Sequence, residues 1–290
     1  ALNLPANPSL SMNLAALTTV TTVEFREGWA ADSVTIDGRP AGGQALDRVV
    51  AHLDRVRALA GIDTRARVAS RNDFPAGTGL ASSASAFAAL SLAASRAAGL
   101  HLDEAALSRL ARLASGSACR SVPAGFCLWT GDDDASSYAR QVAPPSHWAL
   151  HDVVAVVSRA HKDVGSRDGH GLASTSPYHA CRLAALPELL DGALHAVQAR
   201  DLAALGAAAE ADALAMHGVM MTSSPSLLYW LPGTVVVINA VRAWRAEGLK
   251  VYFTLDAGPN VHCLCRAADA PQVQARLERL PGVVEVIAVS

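Results

Sequence analysis

The chain alternates between short runs of β-branched residues and longer alanine-rich segments whose apolar residues recur at helical spacing. Strand-like runs cover residues 18–25, 153–157 and 250–255, and the apolar spacing predicts helices over 46–60 and 82–98. Because strands and helices are mixed along the chain, and some strands follow one another as hairpins, we expect an α+β fold of packed layers. A chain of 290 residues is long enough for two ordinary domains.

The Pro-Pro-Ser sequence at 144–146 marks the expected boundary between those domains, since a new strand-like run follows it. We predict an N-terminal domain over residues 1–150 and a C-terminal domain over residues 151–290. Residues 234–244 are ambiguous, because their β-branched side chains favour a strand while the length of the segment and the glycine at 248 favour a helix. We predict the helix.

Composition excludes several classes of function. With 24 Lys and Arg residues against 26 Asp and Glu residues, the net charge of -2 offers no general basic surface for nucleic acid or anionic lipid. The apolar runs are far shorter than the ~20 residues that span a bilayer. We therefore predict a protein that binds neither nucleic acid nor a membrane, and that holds any anionic ligand at a local site. The five cysteines lack zinc-ligand spacing and are expected to be buried free thiols, which indicates the reducing cytoplasm: Cys119, Cys127, Cys181, Cys263 and Cys265.

The segment 75–85, Pro-Ala-Gly-Thr-Gly-Leu-Ala-Ser-Ser-Ala-Ser, is the strongest local signal in the sequence. Its two glycines allow a tight turn and a close approach of the backbone to a ligand, and the N–H groups of the following helix start favour an anion. Hydroxyl groups for phosphate oxygens or a bound metal would come from the serines. The residues concerned are Gly77, Gly79, Ser82, Ser83 and Ser85. A plain glycine turn with a serine N-cap fits the spacing equally well.

Two further segments each carry one charged residue that could bind an anion or act on a hydroxyl. Arg120 lies among small residues in Ser-Gly-Ser-Ala-Cys-Arg-Ser, and arginine can hold a carboxylate or phosphate with two parallel hydrogen bonds. Asp256 follows a predicted strand and precedes Ala-Gly-Pro-Asn, so its carboxylate projects from a sharp turn and could orient or deprotonate a hydroxyl. An Asx-turn for Asp256 is equally compatible with the spacing, and without further context Arg120 fits a surface ion pair better.

A fourth segment, Ser166-Arg-Asp-Gly-His-Gly, follows the strand-like run at 153–157. Ser166 and Arg167 suggest a second anion clamp on a glycine loop, although an ordinary loop is equally compatible. His170 in the same segment is a candidate ligand contact.

In their order along the chain and in their residue sequences, these segments resemble motifs of the GHMP kinase superfamily and, more narrowly, of the mevalonate 5-diphosphate decarboxylases. The N-terminal sequence Asn-Leu-Pro-Ala-Asn-Pro-Ser-Leu-Ser at 3–11 resembles the family's substrate loop, and Gln-Val-Ala-Pro-Pro-Ser-His-Trp at 141–148 resembles the same branch. The resemblance implies a two-domain GHMP kinase-like α+β fold. Residues 1–150 would form the ATP-binding domain, residues 151–290 the C-terminal GHMP domain, and the active site would lie in the inter-domain cleft of a homodimer.

The resemblance also implies a reaction. ATP, with Mg²⁺, phosphorylates the 3-hydroxyl of mevalonate 5-diphosphate, and loss of phosphate and CO2 then gives isopentenyl diphosphate. In that reaction Asp256 is expected to hold the hydroxyl and accept its proton, while Arg120 and Ser117 bind the substrate carboxylate. Ser166 and Arg167 are expected to hold the 5-phosphate groups.

The remaining expected contacts follow from the same resemblance. Asn7, Ser9 and His170 are expected to contact substrate, and the glycines and serines of 75–85 to hold the ATP phosphates. No separate metal ligand is expected, because Mg²⁺ arrives with ATP, and Ser85 is the candidate hydroxyl near it.

Two departures from the family pattern bear on these expectations. The family's N-terminal strand, which carries a phosphate-site lysine, is not in this sequence, and we predict roughly 20 further residues upstream. His170 stands where many relatives have Met, which leaves mevalonate 5-phosphate open as the substrate. The same segments are also compatible with a kinase that stops after phosphorylating the 3-hydroxyl, and with a non-catalytic relative.

Overall fold

The computed structural model describes residues 2–73, 82–160 and 166–289, with the side chains of Ser82 and of residues 166–168 outside the description. The chain divides into two compact units, of which unit 1 is built from residues before Pro145 and unit 2 mainly from Pro145–Ser290. Gly77 and Gly79, and the rest of the segment between 73 and 82, lie outside the described residues.

The described part of unit 1 combines two sheets with helices. Its strands are β1 (Ser9–Met12), β2 (Thr19–Arg26), β3 (Ser33–Ile36), β4 (Arg39–Pro40), β5 (Arg65–Asn72), β6 (Phe126–Thr130) and β7 (Tyr138–Ala143). Its helices are α1 (Gly43–Ala60), α2 (Ser82–Ala97) and α3 (Glu104–Ala114), followed by a 3-10 helix over Gly116–Ser121. One sheet has the order β1-β6-β7 and the other β2-β5-β3-β4.

The local sequence explains several of these elements. Along β2 the side chains alternate between half-buried and exposed, as a strand with one solvated face requires. β2 pairs antiparallel with β5, from Thr19 opposite Asn72 to Arg26 opposite Arg65, and β3 pairs parallel with β5. Helix α3 begins after Asp103, whose carboxylate accepts the N–H of Ala106. The apolar faces of α1, α2 and α3 form one core with this sheet.

Unit 2 contains a single four-stranded antiparallel sheet among the described residues. Its strands are β8 (Leu150–Val156), β9 (Val251–Thr254), β10 (Val261–Arg266) and β11 (Glu285–Val289), in the order β11-β8-β10-β9. Its helices are α4 (Ser166–Leu172), α5 (His179–Ala199), α6 (Leu202–Met221), α7 (Pro232–Ala246) and α8 (Ala270–Leu277).

The core of unit 2 lies between one face of this sheet and helices α7 and α8. Glu210 on α6 then links three elements, because its carboxylate accepts two hydrogen bonds from Arg245 of α7, at 2.6 and 3.0 Å, and the N–H of Phe253 in β9, at 3.1 Å. A bidentate pair of this kind fixes the two helices against the strand that leads to Asp256.

The structure confirms the helix over 234–244 and corrects other expectations. The segment from Ser166 is helix α4 and not a glycine loop. A Cβ on Gly169 would lie 2.9 Å from the Tyr229 hydroxyl, so this glycine serves close packing of the helix and not a turn. Residues 9–12 form a strand within the segment interpreted as a substrate loop. Of the five cysteines, four are buried as expected, whereas Cys181 is exposed on α5.

Candidate active site

The structure brings Arg120 and Ser9 together, although they are 111 residues apart in the chain. Arg120 Nη1 donates a 3.0 Å hydrogen bond to Ser9 Oγ. Both residues are half-buried, as is Ser117 in the same 3-10 helix. Asn7 is also half-buried, but its described hydrogen bond runs from Nδ2 to the neighbouring Pro8 carbonyl, at 2.8 Å. Ser9 is thus the predicted substrate residue for which the structure shows a contact with Arg120.

Asn13 supports this arrangement, although no sequence pattern predicts it. Its Nδ2 donates to the backbone carbonyls of Arg120, at 3.0 Å, and of Pro123, at 2.6 Å. Since Asn13 follows β1 directly, one amide holds the end of the strand that carries Ser9 against the 3-10 helix that carries Arg120. An asparagine after a short strand has no local signature that separates it from a loop residue.

The small residues before Arg120 serve packing. Ala118 and Cys119 are fully buried, and a Cβ on Gly116 would lie 3.2 Å from the Trp129 ring. Ser108 Oγ of α3 donates to the Cys119 carbonyl at 3.0 Å. Burial raises the pKa of the Cys119 thiol to about 12, so it stays protonated and is no nucleophile at neutral pH. Arg120 and the serines therefore remain the candidates in this segment for binding a ligand.

The serines at the start of α2 can be described in part. Ser83 is exposed in the first turn of the helix, and the half-buried Ser85 lies 2.7 Å from Thr19 Oγ1, oxygen to oxygen. At the end of the preceding described range, Asp73 accepts the Thr18 N–H at 2.7 Å and the Thr18 hydroxyl at 2.5 Å. These two hydrogen bonds from Thr18 lower the pKa of the Asp73 carboxyl. Hydroxyls at a helix start suit phosphate oxygens.

Asp256 projects into solvent from the turn between β9 and β10. Its side chain is exposed, whereas the residues on either side of it, Leu255 and Ala257, are buried. Its backbone carbonyl accepts the N–H of Gly258 at 2.7 Å and Nε2 of His217 at 3.0 Å. The turn is thus held through its backbone while the carboxylate faces outward, where a ligand can reach it. His217 lies near the C-terminal end of α6, and no sequence pattern marks it.

His170 is exposed on α4, and the side chains of Ser166 and Arg167 lie outside the described residues. The expected roles of these three residues therefore stay predictions.

A second charged pair is buried in unit 2. His262 Nδ1 of β10 lies 2.6 Å from Asp152 Oδ2 of β8. Burial of the imidazole by itself lowers its pKa, but the charge of the Asp152 carboxylate, its hydrogen bond and the Asp256 carboxylate together raise the pKa of His262 to about 9. No local pattern reveals this pair, because its members are 110 residues apart.

Within the described ranges, no helix combines the length and apolar character needed to cross a bilayer. In the same ranges, no three or more His, Cys, Asp or Glu side chains group closely enough to hold a metal ion.

Comparison with known proteins matches most of the chain. The family model for the diphosphomevalonate decarboxylase-like N-terminal domain matches residues 1–139, and that for the mevalonate 5-diphosphate decarboxylase C-terminal domain matches residues 152–286. The phosphomevalonate decarboxylase of Haloferax volcanii is 36% identical over 89% of this chain and 80% of its own length. The diphosphomevalonate decarboxylase of Aspergillus fumigatus is 34% identical over 97% of this chain and 75% of its own length.

Solved structures agree with these sequence matches. The crystal structure of mevalonate diphosphate decarboxylase from Staphylococcus aureus superposes with a TM-score of 0.96 at 35% identity, covering 100% of this chain and 88% of that one. A complex of MDDEF with MVAPP, AMPPCP and magnesium superposes with a TM-score of 0.92 at 36% identity, covering 99% of this chain and 88% of that one.

Proposed function

Since the chain belongs to the diphosphomevalonate decarboxylase family, we propose that Asp256 and Arg120 are the residues that carry its decarboxylation reaction. The chain is an ATP-dependent decarboxylase with the fold of that family, and its substrate is mevalonate 5-diphosphate, which it converts to isopentenyl diphosphate with release of CO2. ATP and Mg²⁺ are its cofactors.

The assignment of Arg120 rests on the partners of its guanidinium group. Its described hydrogen bond goes to a neutral hydroxyl, that of Ser9, and within the described ranges no carboxylate forms an ion pair with it. A half-buried arginine that forms no ion pair with a described protein carboxylate is well suited to a bidentate pair with the substrate carboxylate. Ser9 and Ser117 then fix the same end of the substrate.

We propose that Asp256 acts on the hydroxyl that is phosphorylated. A tertiary hydroxyl is a poor nucleophile, so its position in line with the transferred phosphoryl group matters most. An exposed carboxylate on a firmly held turn can accept the hydroxyl proton and fix the direction of the oxygen lone pair. The proposal requires that one substrate molecule reach both Asp256 and Arg120.

The described residues fit the phosphate groups of the nucleotide. Ser83 is exposed and Ser85 half-buried in the first turn of α2, where hydroxyls and helix N–H groups favour anions. Bound ATP and Mg²⁺ supply the phosphoryl group that activates the 3-hydroxyl as a leaving group. Gly77, Gly79 and Ser82 complete the proposed phosphate contacts, with Ser166, Arg167 and His170 at the 5-phosphate groups and Asn7 beside the substrate.

The same reaction on mevalonate 5-phosphate is the second candidate function. It is favoured by the 36% identity to the phosphomevalonate decarboxylase of Haloferax volcanii. We further propose that the protein is a cytoplasmic homodimer whose residues 1–150 bind ATP.

The test is a coupled assay of ADP release by the full chain with MgATP. Mevalonate, mevalonate 5-phosphate and mevalonate 5-diphosphate are offered in parallel, and CO2 is counted in each reaction. ADP and CO2 from the diphosphate alone support the leading function, whereas the same products from the monophosphate alone support the second. ADP without CO2 would make the protein a kinase and remove the proposed role of Arg120.

Two variants test the residue roles in the same assay. Asp256→Ala should fold and bind MgATP normally but lose at least ~10²–10³ in turnover, the usual cost of a lost transition-state contact. Arg120→Lys should also fail, because one ammonium does not reproduce a bidentate guanidinium. Near-normal turnover by a folded Asp256→Ala protein would overturn its assignment.

A further inference from the structure

We infer that His217 and Thr234 are positioning residues that hold the Asp256 carboxylate in its reactive place through the backbone of the turn. The inference rests on the proposed role of Asp256 and adds the residues that position its carboxylate. Each binds a backbone carbonyl of the turn 256–260 from a different helix.

His217 binds the turn at its first residue. The ring is buried, with 1% of the residue exposed, and its Nε2 lies 3.0 Å from the Asp256 carbonyl oxygen. Because a carbonyl only accepts, Nε2 must carry the proton. The ring is itself held by Trp230, with centroids 5.3 Å apart, and by the edge of Tyr229, with centroids 6.3 Å apart. Burial and these ring contacts restrict the orientation of the imidazole and therefore of its N–H donor.

Thr234 binds the turn near its other end. Its hydroxyl donates to the Pro259 carbonyl at 2.6 Å and accepts the N–H of Leu231 at 3.1 Å, so one buried side chain joins the start of α7 to the turn. The start of α7 is closely packed at this point. A Cβ on Gly233 would lie 2.7 Å from the Gly282 carbonyl oxygen and 2.8 Å from Val157.

A third set of hydrogen bonds closes the turn. Asn260 Oδ1 accepts the N–H groups of Val157, at 2.8 Å, and Ser158, at 3.1 Å, just beyond β8. The turn is therefore bound to α6, to α7 and to the end of β8 within five consecutive residues, 256–260. Since Pro259 also has a fixed φ, few backbone torsions remain that could displace the carboxylate. An exposed side chain on a loop needs such restraint to act as a precise base.

The test compares two paired substitutions at each position. His217→Phe keeps an aromatic ring but removes the donor, whereas His217→Gln removes the ring but keeps an N–H that can reach the Asp256 carbonyl. Thr234→Val removes the hydroxyl at equal volume, and Thr234→Ser keeps it. We measure kcat and KM for the phosphorylated mevalonate substrate, binding of MgATP, and circular dichroism for each full-length variant.

We expect His217→Phe and Thr234→Val to lower kcat by about 10- to 100-fold, because a misplacement near 1 Å costs that much. MgATP binding should be unchanged, and His217→Gln and Thr234→Ser should recover most of kcat. A purely structural role for His217 predicts the opposite order, with the phenylalanine variant more active than the glutamine variant, and that order would overturn the inference. If the two variants at one position fail to fold, the two variants at the other position test the inference by the same comparison of kcat.

Asp256→Ala serves as the reference that separates the two proposals. If this variant is inactive while His217→Phe and Thr234→Val both keep normal kcat, the positioning role is wrong and the proposed function stands. If a folded Asp256→Ala enzyme remains active, the role of Asp256 is wrong and the positioning inference falls with it.

Discussion

The buried pair between His262 and Asp152 predicts that unit 2 loses stability in mildly alkaline solution. His262 and Asp152 side chains are only 13% and 5% exposed, and they lie on adjacent central strands, β10 and β8. Within the described part of the chain, the second Asp152 oxygen, Oδ1, is buried and has no hydrogen-bond partner. The carboxylate therefore depends on the charged imidazole, and deprotonating His262 leaves a buried charge without compensation.

The size and the sign of this stability change follow from the pKa of His262, which rises from 6.5 to about 9 on folding. At 1.36 kcal/mol per pKa unit, this corresponds to roughly 3 kcal/mol of folding free energy. Because the folded-state pKa is the higher one, the contribution is fully present below pH 6.5 and is lost as the pH rises through 9. About half of it should remain at pH 8.

The assay is chemical unfolding at pH 6, 8 and 10, followed by circular dichroism, for the natural protein and for Asp152→Asn. The asparagine variant keeps the shape of the site but leaves His262 neutral, because burial disfavours its charge. The difference in unfolding free energy between the two proteins should shrink by roughly 3 kcal/mol between pH 6 and pH 10. Parallel pH profiles for the two proteins would refute the reasoning.

Two further predictions concern packing and reactivity. Gly206 of α6 lies against the Tyr252 ring, which a Cβ would overlap, so Gly206→Ala should destabilise by about 1–3 kcal/mol in thermal unfolding. Gly192→Ala, where a Cβ meets open space in α5, should instead stabilise by up to about 1 kcal/mol, and equal effects of the two would contradict this. One thiol per chain, that of Cys181, should react rapidly with Ellman's reagent, because burial protects the other four and raises their pKa values; two or more fast thiols would be inconsistent.

Local patterns in the sequence are enough to predict those elements that carry their own signal. Helix α1 covers the segment 46–60 whose apolar spacing predicts a helix, and α7 is a helix despite its β-branched residues. Strands β6 and β7 carry no comparable signal and are not predicted. Four of the five β6 residues are buried, so the strand lacks the alternation that marks a half-exposed one.

The sequence by itself determined the family and the reaction class, because the motifs that indicate them are short contiguous segments such as the one bearing Asp256. Tertiary structure alone decided which residues hold them. Ser9 meets Arg120 across 111 positions, and His217 meets the Asp256 carbonyl across 39. A hydrogen bond depends on where two backbones lie in space, and local periodicity carries no record of that distance.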